Sequence, residues 1–216
     1  ITQGTLDNSN YDITYKGAVL EITTRPITIK VVATSKTYGE DDPTIDYDVI
    51  VGELAYEDEL EGEFEREEGQ DVGIYDVNQG TIDEILNPNY AITFVFTGGD
   101  FEIEKRQITV SADALNKIYG EVDFELTYQI TQGELAYEDE LYGELIREVG
   151  EDVGIYLIMQ GGVTNENNTN YEITYIDNNF EIEQRIIVIE AYAANKIYGE
   201  DDPEEFLYTM TEGNLV

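Results

Sequence analysis

The stretch GQDVGIYDV at residues 69–77 returns as GEDVGIYLI at residues 150–158, 81 positions later. Around it the same offset holds for longer words. ELAYEDEL stands verbatim at 53–60 and 134–141, and GEFERE at 62–67 answers GELIRE at 143–148. Self-similarity at a fixed period is the signature of a tandem array, so the chain is read first as repeats and second as residues. Within one copy the apolar positions alternate, as in Ile27-Thr28-Ile29-Lys30-Val31 and Tyr90-Ala91-Ile92-Thr93-Phe94. Gly, Asn and Pro punctuate these runs. Period-two runs broken by turn residues predict strands. The one short helix expected lies around Leu54–Leu60, where an acidic first turn suits the helix dipole.

Asp71-x-Gly73-x-Tyr75 and Asp152-x-Gly154-x-Tyr156 enter a strand. This is the pattern of a tyrosine corner, in which the phenol bonds to upstream backbone and pins a turn in immunoglobulin-like sandwiches. The fold expected is therefore all-β, with tandem antiparallel sandwich modules of immunoglobulin-like type in an elongated rod. The alternative is a β-grasp-like module that uses the short helix. A closing β-hairpin is also expected. Tyr90 to Phe101 spans eleven residues, and Tyr171 to Phe180 spans nine. A change of two leaves the core face unchanged.

The repeats divide the chain into residues 1–26, the closing part of a repeat; 27–107 and 108–185, two full modules; and 186–216, the opening part of another. A chain that starts and stops inside a repeat reads as a piece of a longer array.

Composition narrows the function. There are 48 acidic residues against 11 basic, no histidine and no cysteine, for a formal net charge of −37. Such a surface repels nucleic acid and anionic lipid, and no disulfide framework or thiol chemistry is available. No apolar run approaches the length of a membrane span. With no histidine, no cysteine, no nucleophile elbow and no phosphate loop, the chain reads as non-enzymatic.

Eight of the eleven cations sit at repeated places: Lys36, Lys117 and Lys196; Arg66 and Arg147; Arg25, Arg106 and Arg185. In so acidic a chain their expected partners are carboxylates. A sharper reading makes the lysines donors of isopeptide bonds to Asn10, Asn89 or Asn170. The lysines stand at the head of KTYGEDDP (36–43), NKIYGEVDF (116–124) and NKIYGEDDP (195–203). Glu40, Asp41, Asp42, Glu200, Asp201 and Asp202 are accordingly candidate calcium ligands, because calcium takes six to eight oxygens. The middle copy replaces one acid and the proline with apolar residues, and none of the three has the alternate-residue spacing that aims side chains at one ion. A solvated turn closed by proline needs no metal. No other cofactor is expected.

K-x-Y-G-x-x-D-P, then D-x-L-x-G, then R-E-x-G-E-x-V-G-x-Y, then N-x-N-Y-x-I together resemble the MBG repeats of the Y-G-x type found in bacterial cell-surface adhesins. The resemblance spans essentially the whole chain. It implies an exported, tandemly arrayed β module, secreted or on the bacterial cell surface, with no catalytic or binding residues to carry over. Two functions follow. One is an extended stalk or spacer whose partners are neighbouring repeats of the same chain. The alternative is that the repeats themselves bind a host glycan or protein such as mucin, with calcium assisting.

Overall fold

A computed structural model describes residues 1–216. It is all-β, without a helix, and divides into two compact units, Ile1–Glu104 and Lys105–Val216. In the first unit the strands are β1 (Arg25–Val31), β2 (Thr34–Thr37), β3 (Tyr47–Val51), β4 (Glu65–Arg66), β5 (Gly73–Tyr75), β6 (Val77–Asn78), β7 (Tyr90–Val95) and β8 (Phe101–Glu104). In the second they are β9 (Arg106–Ala112), β10 (Leu115–Ile118), β11 (Tyr128–Gln132), β12 (Ile146–Arg147), β13 (Gly154–Met159), β14 (Tyr171–Ile176) and β15 (Asn178–Glu183). After these come β16 (Val188–Ala191) and β17 (Tyr208–Glu212).

Each module carries two main sheets. In the first, β1 lies between β3, to which it is antiparallel, and β7, to which it is parallel; β8 lies between parallel β2 and antiparallel β5. The second repeats the plan with β11-β9-β14 and β10-β15-β13-β12. The antiparallel expectation is thus corrected: the sheets are mixed. The chain from β1 to β2 runs alongside that from β7 to β8, and both pass from one sheet to the other. The closing hairpin is corrected with it. β7 and β8 follow one another but pair with β1 and β2, not with each other. The two-residue rule survives, since Phe101 and Phe180 are both wholly buried despite the different spacing.

The expected helix at Leu54–Leu60 is a turn instead. Tyr56 and Glu57 stand at φ 60° and 82°, and Tyr137 in the second copy at 54°. Left-handed backbone at non-glycine residues ends any helix at once.

The core sits between the sheets, on the alternate residues that the period-two reading selects. Ile27, Ile29 and Val31 from β1 and Phe101 and Ile103 from β8 are buried, as are Ile108, Val110, Ala112, Phe180 and Ile182. Glycine is required after β3. Gly52 has φ +77°, and a Cβ there would meet the Pro26 carbonyl oxygen at 2.7 Å; Gly133 repeats the situation against the Gln107 carbonyl at 2.5 Å. The same close approach accompanies a bulge in the β1–β3 ladder between Thr28 and Ile29.

The modules differ just after the corner tyrosine. Asp76 interrupts β5 and β6, whereas Leu157 continues β13 without a break, adding β12 to the sheet as its fourth strand. An apolar residue in place of a carboxylate lets the strand run on.

Candidate functional site

The repeated lysines, acids and arginines meet at one place in each module. In the first, β2 carries Lys36 inward until its side chain is 3 % exposed, and β4 carries Arg66, 8 % exposed. Both converge on Asp42. Lys36 Nζ lies 2.6 Å from Asp42 Oδ1, and the Arg66 fork donates from Nε to Oδ2 at 2.7 Å and from Nη2 to Oδ1 at 3.2 Å. Arg66 Nη1 donates to the carbonyls of Glu67 and Gly69, both at 2.8 Å. Lys36 also donates to the Glu40 carbonyl at 2.9 Å and to Gln70 Oε1 at 3.1 Å.

Aromatic rings flank the guanidinium. Its carbon is 5.0 Å from the centre of the Tyr75 ring and 4.9 Å from that of Phe101. Tyr75 is itself fixed, because its hydroxyl donates to the Asp71 carbonyl at 2.7 Å. Tyr156 does the same to Asp152 at 2.8 Å, so the expected corner is present in both copies. A Cβ on Gly69 would fall 2.3 Å from the Tyr75 ring, which is why glycine precedes the corner. One cluster therefore ties β2, the following turn, β4, β5 and β8 together.

The second module rebuilds the cluster with one more charge. Lys117 Nζ is 2.6 Å from Asp123 and 2.5 Å from Glu151. Arg147 reaches Asp123 at 2.6 Å and Glu151 at 2.7 Å, between Tyr156 and Phe180. Glu151 stands where the first module has Gln70. Two cations face one carboxylate in the first copy and two in the second.

The electrostatics follow. Arg66, then Lys36, hold Asp42 below the ordinary carboxylate range; Arg147, then Lys117, do the same to Asp123; Lys117, then Arg147, to Glu151. The hydrogen bonds of Asp123 and Glu151 push the Lys117 ammonium up. These four groups, Asp42, Asp123, Glu151 and Lys117, are held in their charged forms. All three lysines pair with an aspartate, Asp42, Asp123 and Asp202, so ion pairs take the place of the isopeptide reading.

The structure places the candidate calcium ligands in different surroundings. Asp42 is engaged by Lys36 and Arg66; Glu40 accepts from the Thr37 amide at 3.1 Å; Asp41 lies exposed in the turn. In the C-terminal fragment Asp202 pairs with Lys196 at 2.5 Å, while Glu200 and Asp201 are exposed. No three acidic side chains converge as metal ligands would. Two acidic positions are kept in all three copies, and of these the one at Asp42, Asp123 and Asp202 is paired to lysine each time. Val122 replaces Asp41, an acid the cluster does not use.

A second constellation holds the ELAYEDEL loop. The Tyr90 hydroxyl donates to Asp58 Oδ2 at 2.6 Å and accepts from the Ala55 amide at 2.8 Å; Tyr171 repeats this with Asp139 at 2.6 Å and Ala136 at 2.9 Å. Buried Asn87 pairs like a strand. Its Oδ1 accepts from Glu61 N at 2.8 Å and its Nδ2 donates to Glu61 O at 2.9 Å, as Asn168 does with Tyr142 at 2.7 and 3.0 Å. These roles were not assigned from sequence. The N-x-N-Y spacing, repeated at the common offset, was the available signal.

With this geometry in view, the comparison with known families is direct. The MBG domain (YGX type) family matches residues 27–102 and 108–181, more than half of the chain. The chain belongs to that family. No match was found among curated proteins or among solved structures. Each matched segment contains one Lys–Asp–Arg cluster, the clamp of that MBG module. No helix of the chain is long and apolar enough to cross a membrane.

Proposed function

We propose that this chain is a non-enzymatic segment of a bacterial surface adhesin that acts as a stalk or spacer, with residues 1–26 and 186–216 as closing and opening pieces of further repeats. The observation that carries this reading is the clamp. Each MBG module devotes its scarce cations to locking five segments together, and the groups are saturated by one another rather than held open toward a ligand. Every buried side-chain nitrogen or oxygen has a partner. One residue, Lys105, separates β8 from β9. Strong like charge opposes side-by-side association of neighbouring stalks.

A second reading has one observation in its favour. The verbatim loop presents Tyr56, 97 % exposed, at positive φ. Backbone strain held by surrounding bonds accompanies binding sites, and an exposed aromatic ring suits a sugar face. Immobilised mucin and a panel of neutral and acidic glycans, probed with the chain in calcium and again in EDTA, separate the readings. Absence of binding in both conditions supports the spacer; retention that Tyr56→Ala with Tyr137→Ala removes would replace it with adhesion by the modules themselves.

A further inference from the structure

Four positions that are polar in the first module are aliphatic in the second, at the common offset of 81: Thr37, Glu65, Asp76 and Asn78 become Ile118, Ile146, Leu157 and Met159. The strand registers bring the four together. Ile146 faces Met159 across β12 and β13, Leu157 lies two residues before Met159, and Ile118 stands on β10 of the same four-stranded sheet. Side chains alternate sides along a strand. Lys117, Arg147 and Ile158 point into the module and are almost fully enclosed, so their strand neighbours Ile118, Ile146, Leu157 and Met159 lie on the outer side. Ile155, the equivalent of Ile74, joins them there. Ile146 is 51 % exposed and Ile155 65 %, and Leu157 and Met159 are partly exposed.

The fold does not require these residues. The first module pairs its strands in the same way with threonine, glutamate, aspartate and asparagine in their places. Strand continuity accounts for Leu157 alone, since β10 is as long as β2 and β12 as long as β4. An aliphatic side chain that stays wetted adds little to stability. Contiguous outward apolar residues with a polar rim mark an interaction surface. The rim here is acidic. On β15, beside β13, Glu181 faces Ile155, and Glu183 faces Ile118 on β10; both are exposed. All five cations of residues 105–185 are engaged elsewhere: Lys117 and Arg147 with Asp123 and Glu151, Lys105 with Glu172, Arg106 with Glu134, and Arg185 with the Tyr119 carbonyl. The module has no cation left for its rim.

We propose that the outer face of the β10-β15-β13-β12 sheet is a docking surface for a protein partner that presents aliphatic side chains bordered by lysine or arginine. The partner's aliphatic groups cover the cluster on β12 and β13. Its basic groups meet Glu181 and Glu183, one strand spacing of about 4.8 Å to the side. Burial of the apolar cluster supplies affinity, and the opposite charges steer encounter and fix register. A second copy of the chain lacks this complementarity, because it brings the same two glutamates and a net charge of −37. The first module lacks the surface, because Glu65, Asp76 and Asn78 make its face polar. One module is thus marked out from its neighbour while both keep the same clamp.

The test uses the full chain, labelled for amide NMR and titrated at physiological ionic strength, where diffuse attraction is screened. The probe is a short amidated peptide of alternating lysine and leucine; the control has serine for leucine at equal length and charge. The lysine–leucine peptide should shift the signals of β12, β13 and β15 and saturate, leaving β4, β5 and β8 unmoved, and the control should do neither. Ile146→Glu with Met159→Asn should weaken binding by about tenfold or more. Thermal unfolding should be unchanged, because the first module carries Glu65 and Asn78 at these places. The converse exchange of Thr37→Ile, Glu65→Ile, Asp76→Leu and Asn78→Met should give the first module the same response. Equal responses to the two peptides, shifts spread alike over both modules, or an affinity that neither exchange alters would overturn the proposal. So would sedimentation showing self-association without peptide that Ile146→Glu abolishes, since the face would then belong to a second copy.

Discussion

At the scale of single residues, Asp42 and Asp123 hold their modules' clamps together. Each neutralises a lysine and an arginine that are otherwise almost fully enclosed, and removing a partner from such a pair costs more than making the pair contributes. Asp42 is 41 % exposed, so water lessens the loss. Asp42→Asn is expected to destabilise the first module by about 1–3 kcal/mol. Asp123→Asn should cost the second module less, because Glu151 still faces both cations. Amide exchange followed separately in each module against urea concentration reads this difference. The pH dependence has a defined sign. Asp42, Asp123 and Glu151 are depressed in the folded state, so their contribution is present above the unfolded value of about 4 and is lost as pH falls through the lower folded values. Lys117 is raised, so its contribution is complete below about 10.4 and fades as pH rises through its folded value. The gap in urea midpoint between the wild type and Asp123→Asn should stay constant near neutrality and close below about pH 4. Titration of the remaining carboxylates relieves self-repulsion equally in both proteins, so the gap isolates the clamp.

At the scale of elements, the sequence displayed strands, turns and corner but not their pairing. Alternation marked β1, which buries every second residue, and β7, and D-x-G-x-Y marked the corner because its hydrogen bond is local, four residues long. The parallel pairing of β1 with β7 joins residues about 65 apart, as Arg25 and Tyr90 do, and nothing in either strand's own pattern states its direction. The turn at Tyr56 and Glu57 was misread as a helix for a related reason. Its acidic composition suits a helix start, while the bonds from Tyr90 to Ala55 and Asp58 that hold it left-handed come from a distant strand. The calcium expectation was drawn from the count of acids in Glu40-Asp41-Asp42; that Asp42 alone turns inward depends on Lys36 and Arg66, which only the fold brings near. Tyr90→Phe should therefore release the Ala55 amide. Hydrogen exchange in residues 53–60 is expected to quicken while β1 and β7 keep their protection, and unchanged exchange in that loop would remove the tether from consideration.

At the scale of the whole molecule, the two MBG modules are built to one plan from local resources. Each has its own buried strand, its own corner and its own clamp, with cations taken from a supply of eleven in a chain that repels itself strongly. The central claim is that each module is a separately locked β body. Pulling single molecules from end to end tests it most directly. Two unfolding events are expected, each releasing roughly 25–30 nm of chain at about 3.3–3.6 Å per extended residue, and Asp42→Asn should lower the force of one event and leave the other unchanged. One concerted event for both segments, or two events of which neither responds to the loss of Asp42, would contradict it.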